Sequence, residues 1–288
     1  MLDKLFVLSQ YVTPQLAVSR LAGRFADSDK SPAFKNRFTR WFINRYGVDM
    51  SEAAESNPEA YATFNEFFTR ALKPGIRPVA DAADTFVSPV DGAISQIGQV
   101  GDDRVFQAKG QSFSLTELLG GDEERAKPFA EGEFSTIYLS PKDYHRVHMP
   151  LAGTLREMVY VPGKLFSVNP VTAENVPNLF ARNERVACIF DTEAGPMALV
   201  LVGAMIVGSV ETTWGGVIAP NPHKVSHWQY QGDEAVSFEK GEEMGRFRLG
   251  STVVLVMPRG SMKWKPNQVP GKTVRVGEAF GTLLASQA

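Results

Sequence analysis

Three side chains in the sequence have the chemistry of an acid, a base and a nucleophile: Asp91, His148 and Ser251. Ser251 follows Gly250, whose carbonyl is unshielded by any side chain, so an activated serine oxygen could attack the preceding peptide and convert it to an ester. This attack requires a strained peptide bond and a base that removes the hydroxyl proton. Most Gly-Ser pairs are ordinary turns, and the sequence does not show whether the three side chains meet.

A second imidazole lies close to His148 in the chain. His145 and His148 are three residues apart and follow a predicted strand at residues 135–139. Histidine titrates near neutral pH, so either side chain can accept or donate a proton there. A His-x-x-His pair can also bind a metal ion, but no third ligand at a suitable spacing is evident. The alternative is that both are structural loop residues and that Asp91 is an ordinary turn residue.

The Gly-Ser pair is predicted to lie between two strands. Residues 253–256 are all large and apolar and are soon followed by Pro258, a pattern typical of a buried strand with a breaker at its end. Before the pair, Phe247 alternates with two arginines, as expected for a half-exposed strand.

The chain from about residue 76 onward is predicted to be rich in strands, because short apolar runs are separated there by glycine and proline. One short helix is predicted around residues 115–119. A phrase x-Gly-Glu-x-x-Gly recurs at residues 240–245 and 276–281, and it resembles the turns of the barrel-sandwich hybrid fold. The clearest predicted strands are residues 93–97, 135–139, 186–190 and 198–202. The predicted fold class is therefore α+β, with a mainly antiparallel β-rich domain over residues 76–288.

Residues 1–75 are predicted to form a separate helical region. Helices are predicted to start at Thr13 and Ser31, because a capping residue precedes proline at each place. A third helix is predicted over residues 58–72, and the Lys-Pro-Gly at residues 73–75 marks the boundary.

The second predicted helix combines aromatic and basic residues. Phe34, Phe38, Trp41 and Phe42 share one face, and residues 20–46 contain seven lysines and arginines against two aspartates. Aromatic rings at the acyl boundary and cations near anionic head groups are typical of a helix that binds a membrane surface. The alternative is that the aromatic face packs on the core and the basic flank is solvated.

The composition is that of an ordinary globular protein. The 288 residues are 43% hydrophobic and 22% charged, and the net charge of -2 argues against nucleic-acid binding. The single cysteine, Cys188, excludes an internal disulfide and a cysteine-based metal cluster. No export signal is evident. The longest uncharged run, residues 194–210, has 17 residues, and a membrane-spanning helix needs about 20.

Several long sequence segments resemble those of bacterial phosphatidylserine decarboxylase proenzymes. They extend from about residue 60 to 256 in the order typical of the family, and no chemical position departs from the pattern. At position 142 an arginine would also match the family, and Lys142 has the same positive charge. The matching phrases are residues 63–74, 88–92, 138–150, 179–185, 202–210 and 249–252.

The resemblance implies a proenzyme that cleaves itself between Gly250 and Ser251. His148, oriented by Asp91, would activate Ser251, and the resulting ester would eliminate to dehydroalanine. Hydrolysis with loss of ammonia would leave a pyruvoyl group at residue 251. The products would be a β chain of residues 1–250 and an α chain of residues 251–288.

The resemblance further implies a carboxy-lyase that converts phosphatidylserine to phosphatidylethanolamine through a Schiff base with the pyruvoyl group, the electron sink of the reaction. We assign His145 to the substrate and His148 to maturation. Because the acyl chains stay in the bilayer, a peripheral protein at the cytoplasmic face of the cell membrane is expected. A homodimer is left open.

Three alternatives remain at this point. Residues 261–264 faintly resemble the site of a lipoyl or biotinyl carrier domain, which would be modified at Lys263. A serine hydrolase could use Asp91, His148 and Ser251 without cleavage, although the Gly-x-Ser-x-Gly motif is absent around Ser251. A pyruvoyl enzyme for a soluble amino acid would share the chemistry and differ in the lipid-facing helices.

Overall fold

The computed structural model describes residues 2–205, 209–219, 224–248 and 251–284, without the side chains of residues 2–4, 16 and 251. In this part of the chain the α-helices are α1 (Leu2–Val12), α2 (Gln15–Ala26), α3 (Pro32–Tyr46), α4 (Phe64–Phe68), α5 (Leu115–Leu118), α6 (Glu123–Ala126), α7 (Pro170–Asn175) and α8 (Leu179–Arg182). Short 3-10 helices span Lys127–Phe129 and Gly232–Glu234.

The strands follow in chain order and are concentrated after residue 84. They are β1 (Thr85–Val87), β2 (Gly92–Gln99), β3 (Arg104–Ala108), β4 (Gln111–Ser114), β5 (Glu133–Leu139), β6 (Arg146–His148), β7 (Gly153–Val161), β8 (Arg185–Thr192), β9 (Gly195–Val202), β10 (Val210–Thr212), β11 (Gly216–Val217), β12 (Ser226–Gln229), β13 (Val236–Phe238), β14 (Glu243–Phe247), β15 (Ser251–Met257), β16 (Met262–Trp264), β17 (Thr273–Val274) and β18 (Ala279–Leu283). The α+β fold class and the four clearest predicted strands are confirmed.

The largest sheet has the strand order β12-β7-β8-β9-β15-β5-β2-β17, with β13 also paired to β7. All these pairings are antiparallel. Along β15, Val253 and Leu255 contact one hydrophobic core, while Val254 and Val256 contact another on the opposite face. Burial on both faces explains why this strand is apolar at every position rather than at alternate ones.

Smaller sheets carry the remaining strands, in the orders β11-β10-β14-β6, β1-β18-β16 and β3-β4. The two glycine phrases form turns before β14 and β18, with φ of +85° at Gly241 and +81° at Gly277. A side chain would also clash there, because a Cβ on Gly277 would lie 2.6 Å from the Pro78 carbonyl and one on Gly241 would lie 2.5 Å from Val79. Both turns therefore pack against residues 78–79, in the segment that links the helices to the β-rich part.

The predicted helix starts are only partly correct. α3 begins at Pro32, as predicted, whereas α2 begins at Gln15, one residue later than predicted, and neither start has a hydrogen bond from a capping side chain. The Thr13 hydroxyl instead donates to the carbonyl of Ser9 at the end of α1 (2.8 Å). It therefore belongs to the preceding helix.

The predicted helix over residues 58–72 is wrong in length, since α4 covers only Phe64–Phe68. The Thr63 hydroxyl accepts a hydrogen bond from the Glu66 amide (3.1 Å) and fixes the start of α4. After α4, Leu72 forms a bridge with Ala53, so the chain there is extended. This tertiary pairing overrides the local aromatic pattern.

The N-terminal helices are attached to the β-rich part by side-chain hydrogen bonds. The amide oxygen of Gln10 accepts from the Ser167 backbone (2.7 Å), and that of Gln15 accepts from Leu165 (2.8 Å). Within the described part of the chain, no helix is long and apolar enough to cross a bilayer.

The aromatic face of α3 is divided between core and surface. Phe42 packs in a buried cluster with Phe64, Phe67 and Phe68. Phe34 and Trp41 are 56% and 52% exposed. The core interpretation is therefore correct for Phe42, and the membrane interpretation stays a prediction for Phe34 and Trp41.

The burial of β15 leads to a stability prediction. Leu255→Ala should lower the free energy of unfolding by about 2–5 kcal/mol, because it leaves a cavity in a sheet packed on both faces. Leu21→Ala is the matched control, since Leu21 is 70% exposed. Urea unfolding followed by fluorescence measures both variants, and equal effects would contradict the assigned burial.

Candidate active site

The Gly-Ser pair lies where the chain passes from one sheet to another. β14 belongs to the small sheet with β6, whereas β15 lies between β5 and β9 in the largest sheet. Leu249 and Gly250 are outside the described residues, and only the backbone of Ser251 is described. Ser251 is paired with Leu139, the last residue of β5. The two predicted strands on either side of the junction are confirmed.

The chain before the junction is also anchored. The backbone amide of Phe247 donates to the carbonyl of His145 (2.9 Å), and that of Arg248 donates to the carbonyl of Ser209 (2.9 Å). The segment that carries both histidines, the loop over residues 140–145 followed by β6, starts immediately after Leu139. Backbone pairing therefore ties this loop to both sides of the Gly-Ser junction.

His148 has the hydrogen bonds of a neutral base. Its Nδ1 donates to the carbonyl of Gly241 (2.8 Å), so in the neutral ring Nε2 carries the lone pair. That Nε2 accepts from the hydroxyl of Tyr144 (3.1 Å). Burial lowers the pKa of His148, although the hydrogen bond to Gly241 and the negative charge of Glu243 oppose the shift. The imidazole is therefore available to accept a proton at neutral pH.

Tyr144 was missed by the sequence analysis. Its side chain is nearly buried, and burial raises its pKa to about 12, so the phenol stays protonated and can donate to His148. Its position in the same phrase as the two histidines is the signal that could have identified it.

His145 lies in a different environment from His148. It is fully buried, stacks on Phe68 with ring centroids 4.0 Å apart, and donates from Nδ1 to the carbonyl of Asp143 (2.8 Å). Its Nε2 has no hydrogen-bond partner. Burial lowers the pKa of His145 to about 3, and the charge of Arg70 adds to this effect. The assignment of His145 to the substrate stays a prediction, with this ring neutral and shielded from solvent.

Asp91 does not hydrogen-bond to His148 in the structure. Its carboxylate accepts from Arg77 Nε (3.0 Å) and Nη2 (2.6 Å) and from the backbone amide of Val276 (2.8 Å). Arg77 also binds Glu52 (2.7 Å). The carbonyl of Gly241, rather than Asp91, orients the imidazole of His148.

The turn that contains Asp91 nevertheless contacts His148 through the backbone. The carbonyl of Pro89 accepts from the amide of His148 (2.8 Å), and the Ser88 hydroxyl donates to the carbonyl of Val90 (2.9 Å). Asp91 also contributes a negative charge that slightly opposes the lowered pKa of His148. Arg77 and Glu52 were missed by the sequence analysis, because neither lies in a phrase with an evident role.

Ion pairs surround this region. Glu243, opposite His148 in the β6–β14 pairing, binds Arg146 (2.8 Å) and Arg246 (3.0 Å). Arg248, just before the junction, lies 3.5 Å from Glu211 and 3.4 Å from Asp27 near the end of α2. These contacts hold the small sheet and the helical region against the junction.

The carrier-domain alternative loses support in the structure. Lys263 lies inside β16 and pairs with Thr282 of β18, whereas a carrier lysine should lie at a hairpin tip. Among the described residues, no group of three or more His, Cys, Asp and Glu side chains could hold a metal ion.

Comparison with known proteins identifies the family of this chain. The family model for phosphatidylserine decarboxylase matches residues 64–282, and a further model, described as PSD, matches residues 5–47. Proteins named phosphatidylserine decarboxylase proenzyme are 80% identical in Marinobacter nauticus (98% of this chain and 99% of the relative) and 58% identical in Hahella chejuensis (99% and 96%). The one from Stutzerimonas stutzeri is 56% identical over 100% of this chain and 99% of its own. The chain belongs to the phosphatidylserine decarboxylase family, a family of carboxy-lyases.

Proposed function

We propose that this chain decarboxylates phosphatidylserine to phosphatidylethanolamine after cleaving itself between Gly250 and Ser251. The observation that carries the proposal is the half-buried, neutral imidazole of His148, held with Nε2 as an acceptor at the end of β6, in a segment bonded to both sides of the junction. The relatives' names, which include the word proenzyme, support a maturation step.

Maturation requires a base, a nucleophile and a carbonyl. His148 Nε2 takes the proton of the Ser251 hydroxyl, the serine oxygen bonds to the Gly250 carbonyl carbon, and the Gly250–Ser251 amide bond breaks. The released nitrogen takes the proton back from His148, leaving an ester between the two residues. A base then removes the Cα proton of residue 251, its Cβ–O bond breaks, and the Gly250 carboxylate leaves. The dehydroalanine formed tautomerises to an imine, and water replaces its nitrogen with release of ammonia. Tyr144 must give up its hydrogen bond to Nε2 before the first step.

The resulting pyruvoyl group fits the residues present. Residue 251 is a serine, and this conversion requires only water as a second reactant. Because Nδ1 of the neutral His145 ring donates to Asp143, its unpartnered Nε2 carries the lone pair and is a buried acceptor on the loop that follows the strand partner of Ser251. The pyruvoyl group supplies the electron sink needed for loss of carbon dioxide.

We propose that His145 lies on the substrate side and that His148 acts in maturation. The Asp91 carboxylate fixes the turn that contains it by accepting hydrogen bonds from Arg77 and Val276. This turn also binds the backbone amide of His148. Its part in the triad is thus one of positioning rather than direct contact.

Membrane attachment is proposed to involve the exposed apolar side chains of the first three helices. Leu5, Leu8 and Val12 on α1, and Phe34 and Trp41 on α3, are each more than half exposed. Exposed arginines and a lysine accompany them at residues 20, 24, 30, 37 and 45. Lys35 does not contribute, because it is buried and its Nζ donates to the carbonyls of Tyr61 (2.5 Å) and Glu59 (3.3 Å).

The nucleophile is tested by Ser251→Ala. The variant should remain one uncut chain, because no hydroxyl is present to attack Gly250, whereas Ser261→Ala should mature normally. Intact mass spectrometry distinguishes a full-length chain from fragments 1–250 and 251–288. Division of Ser251→Ala at this point would exclude Ser251 as the nucleophile.

The base is tested by the pH dependence of maturation. Because burial lowers the pKa of His148 below 6.5, its usual value, the neutral base persists as the pH falls through 6.5. The maturation rate of precursor made by cell-free synthesis should therefore be constant above pH 6.5 and fall only at more acidic pH. His148→Gln should abolish maturation. A rate that already declines at pH 7, or normal maturation of His148→Gln, would contradict the assignment.

The membrane surface is tested by replacing Phe34 and Trp41 with serine. Binding to vesicles containing phosphatidylglycerol should weaken by about tenfold, since apolar area no longer enters the interface. The same change at Val217 and Val269, both 51% exposed on the β-rich part, is the matched control. Vesicle sedimentation measures both variants, and equal binding would place the membrane contact elsewhere.

A further inference from the structure

A buried arginine near the candidate site has unused hydrogen-bond donors. Arg70 is 4% exposed, and its Nη2 donates to the carbonyl of Lys142 (3.1 Å). Its Nε and Nη1 are buried without any partner. In the described part of the chain, no carboxylate forms an ion pair with it. A guanidinium buried in this state is costly unless an anion completes its hydrogen bonds.

Arg70 lines a cavity of about 230 Å³. Sites for drug-sized molecules are roughly 300–1,000 Å³, so this cavity suits a head group rather than acyl chains. Four carboxylates also line it: Asp91 and Glu52 are bound by Arg77, Asp143 accepts from Ser140 (2.7 Å), and Asp49 accepts from the amide of Ser51 (2.8 Å). Because these carboxylates already have hydrogen-bond partners, Arg70 and the exposed Lys142 beside it are available to bind an anion.

The cavity is close to the proposed chemistry. Lys142 lies three residues after Leu139, the strand partner of Ser251, on the loop that carries His145. Phe68, two residues before Arg70, stacks on His145. An anion held by Arg70 would therefore lie beside the loop that follows Leu139, the strand partner of residue 251.

We propose that Arg70, with Lys142 at the cavity mouth, binds the phosphodiester of the aminophospholipid head group. This assignment rests on the proposed function. The unused N–H groups on Nε and Nη1 of this guanidinium can form charge-assisted hydrogen bonds to phosphate oxygens. The phosphodiester is the same in substrate and product, so binding it does not oppose the reaction. An ion pair with the departing carboxylate would instead stabilise the ground state and slow its loss.

The test uses Arg70→Gln in the full chain. Mass spectrometry first confirms that the variant has matured. Its KM for phosphatidylserine in mixed micelles should then rise by about 10- to 100-fold, the cost of losing one charge-assisted contact, with a smaller change in kcat. Arg156→Gln removes an exposed surface arginine paired with Asp191 and is the matched control; it should keep the KM of the parent.

Soluble inhibitors identify the group that is bound. Glycerophosphoethanolamine should inhibit the parent enzyme and lose its effect in Arg70→Gln, whereas ethanolamine should inhibit both equally weakly. Inorganic phosphate as effective as glycerophosphoethanolamine would overturn the diester assignment in favour of free phosphate. An unchanged KM in matured Arg70→Gln would overturn it entirely.

Arg70→Lys distinguishes a role of Arg70 in folding from a role in binding, because lysine keeps the positive charge but lacks the planar guanidinium. It should mature and show a KM between those of the parent and Arg70→Gln. Failure of both variants to mature would also overturn the proposal, because it would assign Arg70 to folding or maturation. A matured parent enzyme that releases no carbon dioxide from phosphatidylserine would refute the proposed function instead.

Discussion

Strand β15 is hydrogen-bonded along both edges and buried on both faces, and the rest of the molecule is arranged around this constraint. Its neighbours β5 and β9 fix its register, so the backbone of Ser251 is held at the end of β5. The strand before it, β14, belongs to another sheet. The residues between them therefore connect two different sheets.

This arrangement explains how a cut chain would stay together. After residue 251, β15 lies in the middle of the largest sheet, β17 pairs with β2, and β18 lies between β1 and β16. Cleavage before β15 would break no strand pairing described here. The C-terminal segment would remain bound by the same ladders and by the apolar cores on both faces of β15.

Burial also determines the charge state of the site. The two imidazoles each donate from Nδ1 to a backbone carbonyl, and burial lowers both pKa values. Neutral rings can lie in an apolar region at modest cost, whereas the nearby carboxylates Asp91 and Glu243 are each paired with arginine. Arg70 departs from this pattern, because its charge is buried and its donors are incompletely used. Such a departure is typical of a site that awaits a ligand.

The sequence by itself determined the chemical inventory and the local elements. Ser251, both histidines and Asp91 were identified from phrases of a known family, and the uniformly apolar run after Ser251 predicted β15. The sequence did not determine the contacts between distant segments. Gly241, Arg77 and Tyr144 bind the predicted site residues, and α4 is shortened by a bridge between Leu72 and Ala53. Only the tertiary structure decides such pairings, because hydrogen-bond partners and burial depend on which segments pack together rather than on local residue patterns.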